Sequence, residues 1–189
     1  MSKRNVYVAS SWRNRYQPEV VQQLRGLDLE VYDFRNPRPG DDGFRWSEID
    51  PDWQNWTPEQ YVAALSHPIA EAGFKSDMDA LRCADATLLV LPSGRSAHLE
   101  LGYAVGAGQR TAIYIPERQE PELMAKMVDD LLISVDDLMS WASEVAVACC
   151  LSRGGHDWNC RLNDRVFEKV VDGLKATATR GKQSEGRGE

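Results

Sequence analysis

The 189-residue sequence contains no uninterrupted apolar run approaching the ~18 residues of a membrane-spanning helix. Its opening, MSKRNVYVAS, lacks the apolar centre of a secretion signal. The expectation is a chain with no membrane partner. Cysteine is scarce, and the four present (Cys83, Cys149, Cys150 and Cys160) include an adjacent pair and lack the spacing of a disulfide scaffold or a CxxC zinc site. A reduced, cytoplasmic setting is expected. His156 adds a soft ligand near Cys160, but adjacent cysteines are not a zinc pattern, and no metal is assigned. Positive charge is in deficit too: 22 Lys and Arg against 29 Asp and Glu give a net charge of -7. That excludes a broad footprint on a nucleic-acid polymer, which needs clustered cations. A local cationic pocket for a small anionic ligand remains compatible with it.

What is present is a core and an alternation. Apolar residues make up 42% of the chain, enough for one domain of ordinary size. Asn5 to Ser10 and Leu29 to Asp33 read as strands around a helix from Pro18 to Arg25. Helices follow at 58–65 and 68–84, the second with an apolar stripe of Ala70, Phe74, Met78 and Leu81 that should face a sheet. The continuous run Ala86 to Leu91 suits a central parallel strand covered on both faces. Beyond it come a helix from about Ser96 to Ala107, a strand 111–115, an acidic helix near Glu120 to Val128, a short strand near 132–135 and a helix from Asp136 to Leu151. The fold expected is α/β: an open, doubly wound, flavodoxin- or Rossmann-like parallel sheet of about five strands with flanking helices. Residues 1–175 form a single domain in this reading. Its C-terminal helical extension, 136–175, includes a closing helix from Asn163 to Lys175, and 176–189 is a disordered tail. The stretch Arg35 to Trp56, with Trp46, Trp53 and Trp56, is either a functional lid or a surface excursion pinned by tryptophans.

Ligands of such sheets bind beyond the carboxyl ends of the strands, which directs attention to SSWRNR after the first strand and PSGRS after the central one. Ser93, Gly94, Arg95 and Ser96 open a helix and could hold an anion, although Ser96 is also a good plain N-cap. Glu100 reads as a first-turn glutamate, which the helix dipole alone would accommodate, yet its neighbours are apolar or glycine. Gly102, Gly106 and Gly108 in the same helix suggest close packing against something, since each costs ~1 kcal/mol relative to alanine. Asp77 falls on the apolar stripe of its helix and should point inward, while Asp79 points away. Two inward carboxylates allow a division between acid and base, although a satisfied boundary aspartate would look the same in sequence. His98 is as readily a simple exposed residue as a site residue.

Taken together, VYVASSW, SDMDALRCADATLLVL and PSGRSAHLELGYAVGAGQRTAIYI resemble the nucleoside 2-deoxyribosyltransferase superfamily over about residues 4 to 116, most specifically in the E-L-G-Y-A run from Glu100. The resemblance implies N-glycosidic bond cleavage or transfer on a nucleoside or nucleoside 5′-monophosphate. Glu100 would be the nucleophile, Asp77 the acid that protonates the departing base, and Tyr7 the group that orients the glutamate. Trp12 would either stack on the base or serve as a core aromatic. Where the transferases carry an aspartate six residues before the glutamate this chain has Gly94, so it is closer to the nucleoside 5′-monophosphate N-glycosidase branch. That favours hydrolysis over transfer and makes Ser10, Ser11, Arg13, Ser93, Arg95 and Ser96 the phosphate contacts. The resemblance further implies a homo-oligomer, dimer or higher, and no cofactor. Two other readings share the pocket: a non-catalytic nucleotide sensor and a glycohydrolase of an NAD-type dinucleotide.

Overall fold

A computed structural model describes residues 3–147. The expected closing helix 163–175, the tail 176–189, and Cys149, Cys150, His156 and Cys160 lie outside the described residues. Within them, five parallel strands, β1 (Asn5–Ala9), β2 (Glu30–Asp33), β3 (Ala86–Val90), β4 (Arg110–Tyr114) and β5 (Asp130–Leu132), form one sheet in the order β2-β1-β3-β4-β5. The helices are α1 (Gln17–Gly26), α2 (Pro58–Leu65), α3 (Pro68–Cys83), α4 (Arg95–Gly106) and α5 (Val135–Val147). The α/β class, the parallel sheet and the central place of β3 agree with the sequence reading.

Strand alternation divides the core in two. Val6, Val8, Leu88 and Val90 face one side, where Val20, Val21 and Leu24 of α1 and Leu138, Trp141 and Val145 of α5 cover them. Tyr7, Ala9, Leu89 and Ile113 face the other, under Leu81 of α3 and Ala97, Leu101 and Ala104 of α4. All five residues of β3 are buried, because helices cover it on both faces. No helix of the described residues is long and apolar enough to cross a membrane.

Four expectations need correction. Phe74 does not join the stripe of α3; it is exposed, whereas Ala70 and Leu81 are buried. The reason lies one residue earlier, where Gly73 has no side chain and Phe44 of the long loop packs into the space, within 2.8 Å of where a Cβ would stand. The helix predicted at 120–128 is only a 3-10 turn, Leu123–Met127. β5 ends at Leu132, where the last strand was expected to begin. Gly102 and Gly106 do not mark a tight contact within this chain: a Cβ at either would meet nothing within 4 Å. Gly108 is required instead by its backbone, at φ +72° just past the end of α4.

Candidate active site

The site begins with a register. β1 and β2 pair in parallel with Tyr7 opposite Tyr32, and both rings stand on the face covered by α3 and α4. Their rings therefore stack, with centroids 5.2 Å apart and planes 14° from parallel. Two helices then set one carboxyl on each phenol. Asp77 of α3 accepts a hydrogen bond from Tyr32 Oη at 2.8 Å, and Glu100 of α4 lies close enough to the Tyr7 phenol for each to shift the other's titration. Asp79, two residues from Asp77, lies outside with Lys75 and Arg82, as helical spacing predicts.

Burial raises both acids, because a desolvated carboxylate loses its water. Glu100 is pushed up to about 7, by burial first and then by the charge of Asp77, against the opposing bond from Tyr7. Asp77 is raised by burial and by Asp41 of the long loop, with Tyr32 pulling the other way. Burial also lifts the Tyr7 and Tyr32 phenols well above the ordinary tyrosine value, reinforced by the nearby carboxylates, so both remain donors. The arrangement can hold one proton between two acids at neutral pH, the starting condition for acid-assisted displacement.

Glu100 is not in the first turn, as the sequence suggested. The N-cap of α4 is Gly94, with no side-chain cap bond, so Arg95 opens the helix, Ser96 sits inside it and Glu100 falls in the second turn. The macrodipole explanation for this carboxylate thereby weakens, since the effect fades beyond the first turn. Gly94, Arg95 and Ser96 are exposed at an uncapped helix start, and Ser93 lies beside His98, whose Nδ1 is 3.4 Å from Ser93 Oγ and 3.0 Å from the Gly94 carbonyl. Across the cleft, Ser10 Oγ is committed to the Val90 carbonyl and Ser11 Oγ accepts the Arg13 amide. Arg13 and Arg95 are exposed and have no carboxylate partner among the described residues.

Sequence reasoning missed three side chains. Asn14, 2% exposed, donates from Nδ2 to the carbonyls of Val90 and Pro92 and accepts the amides of Tyr16 and Gln17, tying the loop before α4 to the start of α1. Arg35 donates to the carbonyls of Ser11 and Asn14. Tyr32 holds Asp77. Only Asn14 and Arg35 had a legible signal, as polar residues in or next to a ligand-facing loop.

The long loop is fastened over this end of the sheet. Trp46 packs edge-on against Phe44 and Trp56, and Gly43, at φ +73°, lies where a Cβ would strike the Phe34 carbonyl at 2.1 Å and approach Trp12. Trp12 meets Phe34 edge to face, while the Arg45 guanidinium lies 4.7 Å over its ring. Trp12 is thus a half-open aromatic at the cleft rim rather than a core residue. Among the described residues no cluster of three His, Cys, Asp or Glu is placed to hold a metal ion.

The fold resembles that of a 2-deoxyribosyltransferase. That enzyme, from Bacillus psychrosaccharolyticus, shares 20% identity, with 71% of this chain and 90% of the other covered, at a TM-score of 0.47. A conserved protein from Enterococcus faecalis matches at 13% identity, 76% and 99% coverage and a TM-score of 0.48. The CMP N-glycosidase of Clostridium botulinum matches at 14% identity, 73% and 98% coverage and a TM-score of 0.43. No family model and no curated protein matches the sequence.

Proposed function

We propose that this chain cleaves the N-glycosidic bond of a nucleoside 5′-monophosphate, with Glu100 attacking the anomeric carbon and Asp77 protonating the departing base. The observation that carries this reading is the pair of half-buried carboxyls, each set against one phenol of a stacked tyrosine pair, beside an uncapped helix start. The E-L-G-Y-A resemblance at Glu100 supports it independently.

Glu100, ionised, forms a bond to the anomeric carbon as the carbon–nitrogen bond breaks, and the electron pair leaves with the base. Asp77, protonated, gives its proton to the base nitrogen, then accepts one from the water that opens the glycosyl ester. The amides opening α4, with Ser93, Arg95 and Ser96, would receive the phosphate, joined by Arg13 and Ser11 across the cleft. Hydrolysis is favoured over base exchange because Gly94 supplies no carboxylate at the loop position where the transferases have one. A homo-oligomer in the cytoplasm belongs to the same proposal.

The test is base release from a panel of nucleosides and nucleoside 5′-monophosphates, with and without a free acceptor base, beside Glu100→Ala. Release from monophosphates, lost in the variant, is expected. Base exchange would overturn the hydrolytic assignment, and turnover undiminished in Glu100→Ala would overturn the site.

A further inference from the structure

We propose that Tyr32 is a positioning residue that decides which of the two carboxyls carries the site's shared proton. Its phenol donates to Asp77 Oδ1 at 2.8 Å and lies 3.1 Å from Ser76 Oγ. With its own proton committed to Asp77, Tyr32 accepts from Ser76. The result is a chain, Ser76 to Tyr32 to Asp77, in which each bond polarises the next.

A hydrogen bond donated to a carboxylate favours its ionised form. Tyr32 therefore draws Asp77 towards ionisation just as Tyr7 draws Glu100, and the stack holds the two phenols side by side in this competition. The groups facing Asp77 from every side are Tyr32 of β2, Tyr7 of β1, Asp41 of the long loop, Glu100 of α4 and Ser76 of its own helix. Of these, Asp41 favours a proton on Asp77, and Tyr32 opposes it directly. Glu100 is held up to about 7 by burial and by the charge of Asp77, whereas the proposed chemistry needs Glu100 ionised and Asp77 protonated, so Tyr32 sets how far uphill that placing of the proton lies.

The functional meaning rests on the proposed glycosidic reaction, but the test does not need turnover. Carboxyl carbons would be titrated by NMR in the wild type, Tyr32→Phe and Tyr7→Phe, with Asp77→Asn and Glu100→Gln to assign the two signals. Tyr32→Phe should raise the Asp77 midpoint by about one pH unit, the worth of a charged hydrogen bond, and lower that of Glu100. Tyr7→Phe should raise Glu100 instead. Ser76→Ala should shift Asp77 in the same direction as Tyr32→Phe, by less. An Asp77 midpoint unmoved in Tyr32→Phe, or the same shift from both tyrosine variants, would overturn the proposal. Shifted midpoints in a protein that turns over no nucleotide would leave it standing and remove the catalytic reading alone.

Discussion

At the scale of single residues, the informative feature is a carboxyl kept in an unfavourable place. In the folded chain Glu100 holds its proton up to about pH 7, whereas an ordinary glutamate releases it near 4.5. Between those values the folded state binds more protons than the unfolded one, so stability falls as pH rises through the window and the loss is complete above it. Glu100→Gln removes that penalty. Urea unfolding should find the variant more stable than wild type at pH 8 by on the order of 2 kcal/mol, with the difference vanishing by pH 4. An equal difference at both pH values would mean that Glu100 is not raised. Glu100 was legible in the sequence because a charge among apolar or glycine neighbours stands out, and Asp77 because it falls on the apolar stripe of its helix. Tyr32 was not, since a tyrosine in a strand ordinarily needs no reason, and only the pairing of β1 with β2 sets it against Tyr7 and under Asp77.

At the scale of elements, two glycines fasten residues 35–56. Gly43 accommodates a backbone that folds against Phe34 and Trp12, and Gly73 admits Phe44 onto α3 one turn before Asp77. Gly73→Ala should push Phe44 off its seat, because the new methyl would stand 2.8 Å from Phe44 Cβ. Overpacking of this kind costs ~1–3 kcal/mol, and here the loop can lift to relieve it. The expected outcome is faster limited proteolysis within 35–56 with a thermal midpoint lowered only slightly. Unchanged cleavage would show that Phe44 does not fasten the loop. The sequence announced the tryptophans but not the fit, since Gly73 in a helix reads only as a weak position and its use depends on a residue 29 positions away. The same blindness misplaced Phe74 in the stripe, and it took the missing cap bond at Gly94 to move Glu100 into the second turn.

At the scale of the whole molecule, the strand order places the loops after β1 and β3 side by side, with β2 bringing the long loop alongside. Strand number, parallel pairing and the central place of β3 follow from short-range alternation and were readable in advance. The acidic segment 120–128 was not: its composition favours a helix, and the chain forms only a 3-10 turn there. The architecture delivers one carboxyl from each of two helices onto two neighbouring strands, and the proposed reaction gives those carboxyls different jobs. The most direct measurement compares Glu100→Gln and Asp77→Asn on two nucleoside monophosphates, one with an ordinary base and one whose base is acidic enough to leave without a proton. Asp77→Asn should lose about 10²–10⁴ in rate on the first and recover most of it on the second, while Glu100→Gln should be inactive on both. Equal losses on the two substrates in Asp77→Asn, or turnover retained by Glu100→Gln, would contradict the account.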